Sequence, residues 1–234
     1  MQKIEGLFIS AQNYSDSSVI VQLYTKQYSR QSFIFNGVKG KNKPYIFQAF
    51  HFISFSCRFN QNKQLNSAYL AELTHPLHSI TTDIRKSSIA LFLTEVLSKV
   101  LVEGNYSDKL YGFLLKTITE FNNQKFSPNF HLFFIVKLLT YLGIQPNNNY
   151  CELLPYFNVN DACFSNKSSS VINYDINNSF SKFLGTNIDN FSQIILDKKD
   201  RNEMLNLLLK YIKKHLQINT DNIKSHHILK TIFT

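Results

Sequence analysis

Lysines recur at alternate positions in one short glycine-containing segment near the start of the chain. Lys39, Lys41 and Lys43 lie between Gly37 and Pro44, and further cations precede them at Lys26 and Arg30. Each phosphate that a lysine neutralises releases condensed counterions from a nucleic acid, so a few such contacts give a salt-sensitive affinity that does not depend on sequence. The pattern predicts a phosphate-binding surface, with a merely solvated lysine loop as the alternative.

A second group of cations is spread over the rest of the chain. Arg58 lies at the end of a predicted strand, and the others lie on predicted helices: Arg85, Lys86, Lys210, Lys213 and Lys214. We expect Arg58 to contact the same phosphates as the lysine segment, and the helical cations to screen a second nucleic-acid strand. The helix face that carries Lys210, Lys213 and Lys214 also fits an ordinary solvated surface.

Six aromatic residues near the lysine segment are of the type that stacks on unpaired bases. They are Tyr14, Tyr24, Tyr28, Phe33, Phe35 and Tyr45. Stacking requires these rings to face outward, whereas large apolar side chains more often form the core. The sequence leaves both placements open for each ring.

Residues that carry out covalent chemistry do not form recognisable groups. The sequence has no GxxxxGK, GxSxG or HExxH motif, and its acidic residues are too scattered to hold a catalytic Mg²⁺. His75 with His78, and Cys151 with Cys163, lack the spacing of a zinc site. We therefore expect a protein without catalytic residues, metal or cofactor.

The composition indicates a globular protein that is attracted to polyanions. Its 234 residues are 44% hydrophobic and carry a net charge of +9. Residues 1 to 80 hold +5 of this charge, from eight Lys and Arg residues and three Asp and Glu residues. Three scattered cysteines, no signal peptide and a longest apolar stretch (Phe130 to Ile144) too short to span a bilayer favour a cytoplasmic protein without a membrane partner.

Five short runs with strand-type alternation fill the first 78 residues and predict a small barrel. They are Lys3 to Ser10, Ser18 to Thr25, Gln31 to Val38, Phe47 to Phe59 and Leu65 to Thr74. In the fourth run, Ile53, Phe55 and Cys57 alternate with Ser54 and Ser56, as in a sheet with one buried face. The pattern favours a five-stranded barrel of the OB type, with an SH3-like barrel as the nearest alternative.

Helical periodicity replaces strand alternation after Pro76. The predicted helices run from Ile89 to Leu101, from a Ser107 N-cap to Phe121, from Ser127 and Pro128 to Gly143, from Asp200 to Leu216 and from Ser225 to Phe233. Asp200 and Glu203 have capping-box spacing, and a loop is expected over residues 147 to 175. The predicted fold class is α+β, with the barrel over residues 1–78 and an all-helical domain over residues 79–234.

Several short segments, in their order along the chain, resemble the RecO family of bacterial recombination mediators. They are Glu5-Gly6, Tyr14 to Val19, Leu23 to Thr25, Gly37 to Gly40 with the lysines that follow, Asp83 to Phe92, Asn129 to Leu132, Tyr141 to Gly143 and Arg201 to Glu203. None is a catalytic signature, so the resemblance rests on order and spacing over nearly the whole chain. Ser29 departs from it, because the family often has a turn glycine there, and this predicts a different turn type.

The resemblance implies an OB-fold that binds single- and double-stranded DNA and anneals complementary strands. It also implies two partners, RecR and the acidic C-terminal tail of single-stranded DNA-binding protein (SSB), so that the RecA recombinase can load. Many members carry a four-cysteine zinc module in the helical half. Only Cys151 and Cys163 occur at that place, which resembles a zinc-free branch of the family.

The sequence thus predicts a DNA-binding recombination mediator that helps to load recombinase on SSB-coated single strands in recombinational repair. Two other classes stay open on the residues alone. One is an RNA-binding OB-fold module, because phosphate contacts do not distinguish the two sugars. The other is a non-catalytic scaffold whose basic surface binds an acidic protein.

Overall fold

A computed structural model describes residues 1–38, 44–104, 107–167 and 174–232. The chain forms two compact units, Met1–Gln124 and Lys125–Thr234. Lys39, Lys41 and Lys43 lie outside the described residues. The domain boundary between residues 78 and 79 stays a prediction, because the first compact unit also includes the helices that directly follow the strands.

Five strands of the first unit close into a barrel in the order β1-β2-β3-β5-β4. They are β1 (Gln2–Asn13), β2 (Val19–Thr25), β3 (Ser29–Phe35), β4 (Phe52–Cys57) and β5 (Asn66–Leu73). Neighbouring strands are antiparallel except β3 and β5, which pair in parallel from Phe33 and Asn66 onward. The predicted OB-type barrel is confirmed.

Two strands start at least two residues away from their predicted first residue, and the ends of β1, β3 and β4 differ by two or three residues. Pro44–Ile46 forms a 3-10 turn and Phe50 has a φ of 67°, which is incompatible with an extended strand, so β4 starts only at Phe52. Strand β3 begins earlier than predicted, at Ser29, whose own φ is 57°. The expected change of turn type is therefore also wrong, because the serine adopts the left-handed conformation that favours glycine.

Hydrogen bonds hold Ser29 in this conformation. The residue is buried, its hydroxyl accepts a bond from the Gly104 amide at 3.0 Å, and its carbonyl accepts one from the Thr25 hydroxyl at 3.0 Å. A serine can thus replace the turn glycine here, because the bond from the Gly104 amide to its hydroxyl, which a glycine cannot form, offsets part of the strain.

Three helices complete the first unit: α1 (His78–Thr82), α2 (Ile84–Val100) and α3 (Asp108–Asn123). Ser107 caps α3 as predicted, since its side chain accepts a hydrogen bond from the Leu110 amide. Helix α2 begins before the predicted Ile89, because Asp83 supplies an N-cap through the Arg85 amide. The Tyr111 hydroxyl on α3 donates to Glu5 of β1 at 2.8 Å and so joins helix and barrel.

The second unit contains helices α4 (Phe130–Tyr141), α5 (Tyr174–Gly185), α6 (Lys198–Leu216) and α7 (Ser225–Ile232). The first two turns of α4 are buried on every side, as the apolar run predicts. Helix α5 was not predicted and lies partly in the expected loop. The cap of α6 is Asp197, which accepts from the Asp200 amide, so the capping box proposed for Asp200 and Glu203 is wrong.

Residues 147–167 contain a two-stranded hairpin, β6 (Tyr156–Asn158) and β7 (Cys163–Ser165), where only a loop was predicted. The side-chain amide of Asn149 binds both backbone groups of Phe164, at 2.9 and 2.8 Å. Phe157 packs edge-on against Phe164 and Phe180, with ring centroids 5.2 and 4.8 Å apart. Asparagine side chains and aromatic rings therefore give this segment its structure.

Candidate nucleic-acid interface

A groove of about 410 Å³ opens on the barrel at the loop that joins β4 to β5. It is lined by Met1, Arg58, Lys63, Leu65, Asn66, Ser67 and Tyr69, and we call it the barrel groove. Two of the lining side chains are cationic and none is acidic. The ion pairs formed among the described residues include neither Arg58 nor Lys63. The barrel groove therefore suits a polyanion, and the loop between strands 4 and 5 is one at which OB-folds bind oligonucleotides.

The β4–β5 loop is fixed by the side chain of Asn66, which is 2% exposed. Its Oδ1 accepts from the Asn60 amide at 2.9 Å, and its Nδ2 donates to the Asn60 carbonyl at 3.2 Å. The Lys63 amide donates to the same carbonyl at 3.1 Å. The backbone beneath the Lys63 cation is thus held before any ligand binds, which reduces the entropy lost on binding.

A β-bulge places two large side chains on the surface of β5. Ser54 pairs with Glu72 but Ser56 pairs with Tyr69, so β5 contains one residue more than β4 across this interval. Leu70 lies in the bulge with a φ of 55° and is 80% exposed. Tyr69 is 45% exposed. The sequence-based interpretation missed Lys63, Tyr69 and Leu70. For Tyr69 and Leu70 the only signal is that two large apolar residues follow each other in a strand that otherwise alternates.

Arg30, a predicted phosphate ligand, instead makes contacts within the first unit. Its Nη1 donates to the carbonyl oxygens of Ser98 and Leu101 at 2.7 and 2.9 Å, and its Nη2 donates to Gln22 Oε1 at 2.7 Å. These acceptors hold the guanidinium against the end of α2. The structure thus gives Arg30 a role in the packing of helix on barrel, and it does not line the barrel groove.

Lys86 was predicted to contact DNA, but its side chain is buried. The residue is 2% exposed, and its Nζ donates to Ser79 Oγ and to the carbonyl oxygens of Phe121, Asn122 and Gln124 at 2.6 to 3.0 Å. Burial lowers the pKa of its ammonium. Because these acceptors surround the charge at the end of α3, the surface does not present it to a ligand, and we withdraw Lys86 from the interface.

Lys26 and Arg85 are exposed, and neither lines the barrel groove. Arg85 forms a paired contact with the Asp83 carboxylate at 2.7 and 3.0 Å, and its hydrogen bonds lower the pKa of Asp83 to about 2. A DNA contact by Arg85 would therefore have to compete with this pair. Of the predicted barrel cations that the structure describes, Arg58 alone lies in the groove.

A second groove, of about 640 Å³, lies in the second unit beside the end of α6. It is lined by Val159, Asn160, Lys210, Lys213, Lys214 and Gln217, so the structure brings the three predicted α6 lysines together. We call it the lysine groove. Lys213 pairs with Asp221, whereas Lys210 and Lys214 take part in none of the ion pairs of the described chain. Both grooves thus carry two cations that a polyanion can reach.

The six aromatic residues proposed as base-stacking candidates fall into three groups by their exposure. Tyr24, Phe33 and Phe35 are at most 1% exposed and belong to the core. Tyr28 is half-buried and stacks on Phe59 with ring centroids 3.9 Å apart. Tyr14 and Tyr45 are exposed, at 62% and 57%. Three of the six candidates are therefore core residues, in line with the frequent burial of large apolar side chains.

The described part of the chain contains no group of three or more His, Cys, Asp or Glu side chains placed to hold a metal ion. Cys57 is buried, Cys151 is exposed and Cys163 is half-buried. In the same part of the chain, no helix is both long and apolar enough to cross a membrane.

The closed barrel with its cationic groove defines an OB-fold protein with a surface suited to polyanions. The C-terminal model of the Recombination protein O family matches residues 81–222, and the N-terminal model of that family matches residues 1–77. The chain belongs to the Recombination protein O (RecO) family, as its sequence resemblance indicated.

Curated relatives agree with this assignment over their whole length. The chain is 29% identical to a DNA repair protein RecO of Bacteroides fragilis, over 100% of this chain and 99% of the relative. It is 28% identical to that of Christiangramia forsetii over 98% of both chains, and 26% identical to that of Flavobacterium psychrophilum over 99% of both chains. Membership of this family supports a role in DNA repair.

Proposed function

We propose that this protein is a non-catalytic, cytoplasmic DNA-binding mediator of recombinational repair, which anneals complementary strands and helps to load recombinase on SSB-coated single strands. The barrel groove carries the proposal, because it combines the oligonucleotide-binding loop of an OB-fold with two cations that form no ion pair with any residue that the structure describes. Family membership supplies the repair context.

The proposed mechanism is charge neutralisation on two surfaces. Arg58 and Lys63 would hold the phosphates of one strand in the barrel groove, with the predicted segment of Lys39, Lys41 and Lys43 as an additional contact and Lys26 and Arg85 as peripheral ones. Lys210 and Lys214 would hold a second strand in the lysine groove, with Lys213 between them. Complementary strands repel each other through their phosphates, so partial neutralisation on each surface lowers the barrier to pairing.

Two protein partners complete the proposal: RecR and the acidic C-terminal tail of SSB. An acidic peptide is complementary in charge to Lys210, Lys213 and Lys214. The tail and the second DNA strand would therefore compete for the lysine groove. SSB-coated DNA would first recruit this protein through the tail, and binding of a second strand would then release the tail. This predicts that free tail peptide slows annealing.

An annealing assay with complementary oligonucleotides, bare and coated with the cognate SSB, tests the proposal. We expect the protein to accelerate annealing in both cases. Arg58→Glu with Lys63→Glu, and separately Lys210→Glu with Lys214→Glu, should slow annealing about tenfold or more, since each pair removes several charge contacts. The charge-matched control is Lys109→Glu with Lys198→Glu, two exposed residues outside both grooves, which should leave the rate unchanged.

The other function classes give different results in the same assay. An RNA module would anneal RNA strands but fail on SSB-coated DNA. A scaffold would leave DNA affinity and its salt dependence unchanged after charge reversal in either groove. Either result would contradict the mediator function.

A further inference from the structure

Leu70 combines two unfavourable properties within a strand. Its φ of 55° is a left-handed conformation that strains a branched side chain, and 80% of its surface is exposed. Glycine is the usual residue at a bulge of this kind, because it lacks the Cβ that causes the strain. Folding therefore gives no reason for a leucine at this position. A strained and exposed apolar side chain suggests contact with a ligand.

Tyr69 precedes Leu70 in β5 and also lies on the outer surface of the barrel. The register joins Tyr69 to Ser56 and Ser56 to Lys3, so these three residues form a row across β5, β4 and β1. The cross-strand neighbour of the tyrosine is thus a small serine. Within the described chain no ring contact involves Tyr69, whereas Tyr28 is covered by Phe59. The ring is 45% exposed and is available for stacking.

The same tyrosine lines the barrel groove together with Arg58 and Lys63. An aromatic ring and two cations therefore face one space of about 410 Å³. This is the combination by which single strands are bound without sequence preference: cations follow the backbone while bases stack on aromatic rings.

We propose that Tyr69 and Leu70 form a stacking platform for an unpaired base of a single DNA strand whose phosphates lie on Arg58 and Lys63. The inference rests on the proposed DNA-binding function and adds which part of the strand is recognised. It also places recognition on the outer surface of β5, whereas the strand 2–3 face is the usual site in an OB-fold.

The chemistry of the barrel groove favours this occupant over an acidic peptide. A carboxylate-rich peptide would use the two cations but has no flat π-surface to place against Tyr69. A base in a duplex is already stacked on both faces, so the platform would act on single strands alone. Leu70 would extend the apolar surface at the edge of the stacked base.

Binding of labelled oligonucleotides to the full chain, measured by fluorescence anisotropy, tests the platform. Tyr69→Ala should raise the Kd for oligothymidine about tenfold, since stacking on one aromatic ring contributes this much. Tyr69→Phe, which keeps the ring, should bind like the unaltered protein. Neither change should alter the Kd for a duplex. On an oligomer of abasic sites, the unaltered protein and Tyr69→Ala should bind equally.

Leu70→Gly separates binding from folding. Glycine adopts a φ of 55° without strain, so the denaturation midpoint should stay equal or rise, while the Kd for oligothymidine should increase about threefold or more. The matched control is Tyr141→Ala, an exposed tyrosine of the second unit outside the barrel groove, which should leave the Kd unchanged.

The results distinguish failure of the platform from failure of the proposed function. Tight binding of oligothymidine that Tyr69→Ala and Leu70→Gly leave unchanged would overturn the platform and leave DNA binding intact. No binding of any oligonucleotide by the unaltered protein would overturn both. Binding of polyglutamate that depends on Arg58 and Lys63, and that matches the affinity for oligothymidine, would identify an acidic peptide as the occupant and overturn the platform.

Discussion

Arg30 Nη1 donates a hydrogen bond of 2.7 Å to the carbonyl oxygen of Ser98, in the last turn of α2. A second bond, of 2.9 Å, reaches the Leu101 carbonyl. The last carbonyls of a helix lack partners within the helix and carry partial negative charge, so a guanidinium is well suited to cap them. A strand residue of the barrel thus caps the C-terminal end of α2.

Replacing Arg30 should therefore affect folding more than binding. We expect Arg30→Ala to lower the free energy of unfolding by about 2 kcal/mol, because charge-assisted hydrogen bonds to partly buried carbonyls are lost. Urea denaturation of the full chain measures this change, with exposed Lys26→Ala as the control. An unchanged unfolding midpoint together with weaker DNA binding would contradict the structural role of Arg30.

Lys86 should be required for stability and not for DNA affinity. Lys86→Ala removes the ammonium donor of three backbone carbonyls at the end of α3 and just after it, and we expect a loss of about 3 kcal/mol in the free energy of unfolding. Thermal and urea denaturation measure it, with Lys109→Ala, an exposed residue of the same helix, as the control. Equal stability of the two variants would show that these hydrogen bonds contribute nothing.

His131 should make the second unit sensitive to acid. It is 2% exposed on α4, and burial, with the charges of Arg201 and His226, lowers its pKa from 6.5 to about 3. The unfolded chain therefore binds a proton at a higher pH than the folded chain does, so stability is complete above pH 6.5 and falls as the pH approaches 3.

The measurement compares the protein with His131→Gln at two pH values. Between about pH 7.5 and 5, the free energy of unfolding should fall by about 2 kcal/mol more for the unaltered protein than for the variant, as a single such histidine requires. His78→Gln, at an exposed position, should behave like the unaltered protein. Identical pH dependence of the protein and His131→Gln would rule out this source of acid sensitivity.

Asn149 should stabilise the segment of residues 147–167 that contains the β6–β7 hairpin. Asn149→Ala leaves the amide and carbonyl of Phe164 without their partners, and we expect a loss of about 1–3 kcal/mol in the free energy of unfolding. Asn160→Ala in the same hairpin, at an exposed position, is the control. A chelator should leave the thermal midpoint unchanged, and a chelator-induced drop would contradict a metal-independent segment.

The barrel could be predicted from sequence because strand alternation is a local property. All five strands were placed, and errors arose where a left-handed residue broke the pattern, as at Phe50. Helix α5 was missed because Asn and Ser residues, which are common in loops, occupy four of its twelve positions. Its buried residues Ile176, Phe180 and Phe183 nevertheless follow helical spacing, which a closer search for periodicity would have found.

The binding surface could be predicted only as a charge pattern. The sequence reveals that Arg30 and Lys86 are cations. Their backbone acceptors lie 68 and 71 residues further along the chain for Arg30 and 35 to 38 residues for Lys86, and only the fold brings them together. Tyr69 and Leu70 are exposed because of a β-bulge, and no local sequence motif predicts this bulge. Net charge therefore predicts a polyanion as the ligand and the barrel as its binding surface, while the fold decides which cations are exposed to it.

The central claim is that cationic side chains of this protein bind DNA through its phosphates, and the salt dependence of binding tests it most directly. The Kd for a labelled single strand should rise steeply with salt, with a slope in log–log form of about 0.7 per phosphate contact. Arg58→Glu with Lys63→Glu should reduce that slope by about 1.4. Absence of binding in dilute buffer, or a Kd that salt does not change, would contradict the claim.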